Sequence, residues 1–182
     1  SRYQGVGKPI DWSQPYLLMI QHPVTTSYGH GLQQVQETLE SLSLISGIQK
    51  VVMWPNIDAG SDDISKGIRV FRENNPKEPI YYYKNFSPED YARVLSNSAC
   101  CIGNSSSFIR EGSYLGVPAV IVGDRQEGRE HGKNIMFAPY VADEIAATIK
   151  KQLKIKRYKS EPIFGDGQAG LRIANCLATL DH

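Results

Sequence analysis

Residues 101–111 read CIGNSSSFIRE. An apolar run ends at Gly103 and Asn104, three serines follow, and a helix-like stretch begins at Ser107. A helix N-terminus presents unpaired backbone N–H groups and a partial positive charge. A Gly- and Ser-rich turn at that point suits an anion, and phosphate is the usual occupant. Gly103 lets the chain turn and lets a ligand approach closely. The hydroxyls of Ser105 and Ser106 add donors for phosphate oxygens. A single serine would serve as an ordinary N-cap, but three in succession exceed what a cap needs.

Three other polar stretches follow apolar runs. In QHPVTT (21–26), His22 is a general base, a partner for phosphate, or simply a structural residue of the turn that Pro23 shapes. PNIDAGSDD (55–63) is a second loop. GDRQEGREHGKN (123–134) holds Arg125, Arg129, Glu127, Glu130 and His131 among three glycines. It reads either as a solvated surface loop or as a cover over an anionic ligand. His22, His30, His131 and His182 lack zinc-site spacing, so no metal is expected. G-x-S-x-G and the P-loop pattern are absent, and no cofactor is expected.

The elements that must carry these loops alternate. Apolar runs at 16–20, 50–54, 79–84, 99–103 and 118–123, and a sixth at 134–138, read as strands. Leu32, Val35, Leu39 and Leu42 recur at helical steps within 31–45. Asp62 and Asp63 open a second helix, and Ser87-Pro88-Glu89-Asp90 is a capped start of a third. Residues 107–116, 142–155 and 169–180 complete the helices. Alternation of this kind implies right-handed crossovers and a doubly wound α/β domain over 16–182. Near-continuous apolar strands fit a parallel sheet covered on both faces. Ligands then bind beyond the carboxyl ends of the strands, where the four loops lie. Residues 1–15 read as a lead-in or interdomain segment.

Composition narrows the partners. The chain has 182 residues, 20 Lys plus Arg and 19 Asp plus Glu, for a net charge of +1. Such a balance gives no field for nucleic acid or an anionic membrane, so any anion must be bound locally. No apolar run approaches the ~20 residues of a spanning helix, and SRYQGVGKPIDW lacks a signal-peptide core. The three cysteines, Cys100, Cys101 and Cys176, form neither a disulfide framework nor a zinc site. All three are expected to be core thiols in a reducing cytoplasm.

The stretch GNSSSFIREGSYLGVPAVIVGDRQEGREHGKNI resembles the carboxyl-terminal domain of the hydrolysing UDP-N-acetylglucosamine 2-epimerases, most of all the branch that supplies N-acetylmannosamine for sialic acid synthesis. HPVTT, PNIDAGS and FGDGQA (164–169) resemble further signatures of that branch, in the same order. The resemblance implies a glycosyltransferase-B architecture: two Rossmann-like domains with a UDP-sugar between them, of which only the second is present here. It implies that Ser105 and Ser106 bind the diphosphate, with Gly103 and Asn104 in the same turn. Glu111 would bind the ribose hydroxyls, Phe86 would lie in the uracil pocket, Arg125 would stand near the nucleotide and Asn56 in the substrate cleft. His22 would act at the diphosphate in catalysis. The implied chemistry is anti elimination of UDP, then hydration of the 2-acetamidoglucal. The base would come from the absent amino-terminal domain, so this chain alone would not turn over. A homodimer is also compatible with the family. Readings of other classes are a glycosyltransferase of the same architecture and a non-catalytic UDP-sugar-binding module. UDP-diacetylbacillosamine is the rival substrate.

Overall fold

Runs of four or five largely apolar residues build the centre of the molecule. In the computed structural model, residues 5–7, 9–24, 29–56 and 59–180 are described. Thr25 and Thr26 of HPVTT, and Ile57 and Asp58 of PNIDAGS, lie outside them. The strands are β1 (Gly5–Gly7), β2 (Tyr16–Ile20), β3 (Gln49–Met53), β4 (Ile80–Tyr83), β5 (Cys100–Gly103), β6 (Ala119–Val122) and β7 (Ile135–Ala138). The helices are α1 (Gly31–Ser43), α2 (Ser61–Asn74), α3 (Pro88–Asn97), α4 (Ser106–Leu115), α5 (Ala142–Ile155) and α6 (Ala169–Ala178).

The strands form one seven-stranded sheet in the order β1-β4-β3-β2-β5-β6-β7. Every pairing from β4 to β7 is parallel, as the alternating pattern predicts. Alternate residues of β2 face opposite ways. Leu17 and Met19 enter a core beneath α1, α2 and α5, while Tyr16, Leu18 and Ile20 enter a second core beneath α3 and α4. Both faces of the sheet are therefore covered, the condition under which parallel sheets are found.

Local chemistry sets the boundaries. Ser87 caps α3, its Oγ accepting the Asp90 N–H at 3.3 Å, with Pro88 at the first helical position. α4 ends at Gly116, which takes φ +64°; a Cβ there would lie 2.2 Å from the Tyr158 carbonyl oxygen.

Two findings depart from the sequence reading. The segment before residue 16 is not merely a lead-in, since β1 pairs antiparallel with β4 and closes that edge. Asp11 and the Gln49 side chain exchange hydrogen bonds of 2.7 and 2.9 Å, and the Trp12 ring packs edge-on to Tyr16 at 5.3 Å. Cys176 is exposed, whereas Cys100 and Cys101 are buried. The reason is that α6 buries none of its residues: Leu171, Ile173 and Leu177 are each about 60% exposed. Its apolar face has no cover among the described residues.

Candidate functional site

Numbered along the chain, the six parallel strands β2–β7 lie in the order 3-2-1-4-5-6. The chain winds one way from β2 through β3 to β4, then returns and winds the other way from β5. The crevice between β2 and β5, at their carboxyl ends, is where doubly wound sheets receive ligands. Gly103 of β5 pairs with Ile20 of β2 at that edge. Gly103 takes φ +127°, and a Cβ there would sit 2.0 Å from the Ile20 carbonyl oxygen. The close approach that demands glycine is thus that of the neighbouring strand.

The next residue joins the two loops. Asn104 is fully buried. Its Oδ1 accepts the His22 N–H at 2.7 Å and its Nδ2 donates to the His22 carbonyl at 2.9 Å. Its own carbonyl accepts Arg125 Nη1 at 2.9 Å and Gln126 Nε2 at 2.7 Å. The charged loop after β6 is therefore drawn onto the turn after β5. The Asn104 side chain thus holds the His22 backbone at the turn where a substrate contact is expected.

Ser105 caps α4, its Oγ accepting the Ser107 N–H at 3.4 Å. It is 6% exposed. Ser105 Oγ also lies 2.9 Å from Ser107 Oγ, which in turn lies 2.5 Å from the Tyr91 hydroxyl. Ser106 is half-buried at the first turn. One serine thus fulfils the capping role while remaining at the mouth of the crevice. Together with the helix N-terminus, the turn offers backbone and hydroxyl donors to an anion.

The other expected residues lie on several elements. His22 is half-buried beside Asn104, and Arg125 is exposed at the crevice rim. Glu111 is exposed on α4, one turn beyond Ser107 on the same face. It also lines a groove with Arg110, Tyr114 and Phe164, where the guanidinium of Arg110 stands 5.9 Å over the Phe164 ring. The PNIDAGS loop approaches HPVTT, since a Cβ on Gly60 would come within 3.1 Å of Pro23. Asn56 is exposed beyond β3. Phe86 precedes the Ser87 cap of α3. Its ring is buried and packs against Tyr83 at 4.7 Å, in an aromatic groove that Trp12 and Tyr16 also line. Its N–H donates to Asn85 Oδ1 at 2.8 Å.

Sequence reasoning missed several participants. Gln126, passed over among the charged residues of its loop, is buried against Asn104, and its Oε1 has no hydrogen-bond partner among the described residues. Gln21 is buried at the end of β2, and both its side-chain polar atoms lack a partner among the described residues. An amide following an apolar strand is the only signal that marked it. Tyr140 stands beneath the loop, where a Cβ on Gly123 would meet its ring at 2.2 Å. The loop and β7 wall an open cavity of about 950 Å³ that His131, Phe137 and Tyr140 line.

Comparison with known proteins adds the following. A family model described as UDP-N-acetylglucosamine 2-epimerase matches residues 3–178. A curated relative from Neisseria meningitidis serogroup B, UDP-N-acetylglucosamine 2-epimerase, is 27% identical over 84% of this chain and 39% of its own length. A second, UDP-N,N'-diacetylbacillosamine 2-epimerase (hydrolyzing) from Legionella pneumophila, is 27% identical over 94% of this chain and 44% of its own. The chain thus spans about four-tenths of the length of these relatives. The crystal structure of the Neisseria meningitidis UDP-GlcNAc 2-epimerase bound to UDP-GlcNAc superposes with a TM-score of 0.72 at 14% identity, covering 94% of this chain and 46% of that one.

Proposed function

The chain belongs to the UDP-N-acetylglucosamine 2-epimerase family, and from that premise we propose that it is the nucleotide-binding half of a hydrolysing 2-epimerase of glycosyltransferase-B architecture. The observation that carries the reading is the Asn104 clamp. It brings His22, the Ser105 cap of α4 and Arg125 together at the switch between β2 and β5.

In this reading the diphosphate of a UDP-sugar lies on the α4 N-terminus. Ser105 and Ser106 donate to its oxygens, and Arg125 adds charge at the rim. The Glu111 carboxylate accepts from the ribose diol. The residues around Phe86 meet the uracil through their backbone, and Asn56 faces the sugar side of the cleft. A base removes the proton at sugar C2, the C1–O bond breaks, and UDP departs with the bonding pair. Water then adds to the 2-acetamidoglucal to give N-acetylmannosamine. His22 and the serines stabilise negative charge on the departing diphosphate, where preorganised donors are most useful. The base is expected from an amino-terminal domain outside these residues, so the isolated chain would bind but not turn over. The Legionella relative favours a second substrate, UDP-N,N'-diacetylbacillosamine, with the same nucleotide contacts.

The test is an NMR titration of this chain with UDP, uridine and ADP. Half a cleft should bind UDP with Kd ~0.1–1 mM, shifting resonances of residues 103–111. No shift there, or equal binding of ADP, would sink the assignment. Assay of the complete protein with both sugar nucleotides, reading UDP release and the free sugar, decides between the substrates.

A further inference from the structure

We propose that Tyr91 is a positioning residue for the anion site: through Ser107 it sets the Ser105 hydroxyl as an outward-pointing donor. The proposal deepens the reading of Ser105 as a diphosphate contact and rests on it. Tyr91 projects from α3, and the hydroxyls Tyr91, Ser107 and Ser105 form a chain with separations of 2.5 and 2.9 Å. Each hydroxyl has one proton and two acceptor positions, so three protons serve two links and one is left over.

Ser107 Oγ is the one hydrogen-bond partner of the Tyr91 hydroxyl among the described residues. If Ser107 donated to Tyr91, the left-over proton would sit on the phenol, for which the described residues offer no acceptor; on Ser105 it meets an anion held at the α4 N-terminus. Tyr91 therefore donates to Ser107. Between Ser107 Oγ and Ser105 Oγ either can donate; in the proposed relay Ser107 gives its proton to Ser105. The Ser105 oxygen already accepts the Ser107 N–H at 3.4 Å, so both its acceptor positions are filled. What remains on Ser105 is its own proton, with no acceptor in the chain, at a helix N-terminus and at the crevice mouth. A group so arranged takes an oxyanion such as a phosphate and has nothing to offer a cation or a second donor. Burial, the largest cause, and the nearby Glu111 carboxylate both push the Tyr91 phenol up from its ordinary value. It therefore stays protonated, and the chain keeps its direction across the neutral range. The sequence pattern shows only an aromatic residue on an amphipathic helix, which reads as core.

The experiment is a double-mutant cycle in the full-length protein with UDP and uridine as probes. Tyr91→Phe should raise the Kd for UDP by about 5–10-fold, the loss expected from misdirecting one hydrogen bond to a charged group. Uridine binding and melting temperature should hardly move. In a Ser105→Ala background the same change should cost less than about 2-fold, because coupled residues are not additive. Equal weakening of UDP and uridine, no weakening, or an undiminished effect without Ser105 overturns the proposal. A ligand-free readout separates it from the nucleotide reading: Ser107→Ala should shift the Tyr91 ¹³Cζ resonance, and no shift overturns the relay whatever binds. Failure of the unaltered protein to bind UDP would sink the proposed function, while the ¹³Cζ signal would still decide the relay.

Discussion

Asn104 grips the backbone of His22 at both ends, accepting its N–H at 2.7 Å and donating to its carbonyl at 2.9 Å across 82 residues of sequence. The side-chain amide thereby extends the β2–β5 ladder one step past the last strand residue. Asn104→Ala should leave both groups of His22 without these partners in a half-buried position. We expect a loss of about 2–4 kcal/mol, measured by chemical denaturation. A change within ~0.5 kcal/mol would show that water replaces the amide at no cost.

Ser105→Ala combined with Ser106→Ala should remove two donors to a charged phosphate, each worth roughly 1.5–3 kcal/mol. In the complete protein UDP binding should fall by at least ~100-fold while thermal stability changes little. Unchanged binding would reduce these serines to capping.

His22→Asn tests the leaving-group role. An interaction that strengthens as the C1–O bond breaks should depress kcat more than it raises KM. Intact kcat, or only a lower melting temperature, would leave His22 as a residue of the turn.

Thiol labelling should distinguish the cysteines. The thiolate is the reactive form, and burial holds the Cys101 thiol at about 12 and pushes Cys100 well above its ordinary value. Iodoacetamide at neutral pH should therefore modify Cys176 alone in the native chain, and all three thiols in denaturant. Mass spectrometry reads the sites. Native labelling of Cys100 or Cys101 would contradict the packing of β5.

Gly103→Ala should be among the most damaging single changes, because the added methyl meets the Ile20 carbonyl at a backbone angle that disfavours alanine. A loss above ~3 kcal/mol is expected, seen as a collapse of soluble, cooperatively melting protein.

Most of the sheet was legible because its strands are continuous apolar runs. Each predicted strand falls within a residue or so of the observed one, and α5 spans the predicted 142–155. β1 was not legible: GVG has no hydrophobic pattern, and its partner Tyr81–Tyr83 lies far along the chain. Cys176 misled because periodicity tells which residues share a face and not whether anything covers it. At the site, the serine turn and His22 stood out by residue type. The grip of Asn104 on His22 was not legible, because polarity at a strand end carries no information about which way an amide turns. Tyr91 and Gln126 act through contacts between α3 and α4 and between two loops, and no local spacing encodes those.

The reversal of strand order at β2 also bears on how the chain acquires its shape. β2, β3 and β4 can pair as soon as residues up to 83 are available, through connections of ordinary length. The other edge of β2 must wait for Cys100–Gly103. A nascent chain that has emerged only to residue 99 carries a fully apolar strand with one side bare, the kind of edge that recruits other chains. Closing that gap brings together residues of high sequence separation, which is the slow class of contact. The junction of Gly103 with Ile20, next to the serine turn, is made in that same step. Acquisition of ligand affinity should therefore coincide with the end of the aggregation-prone interval during synthesis.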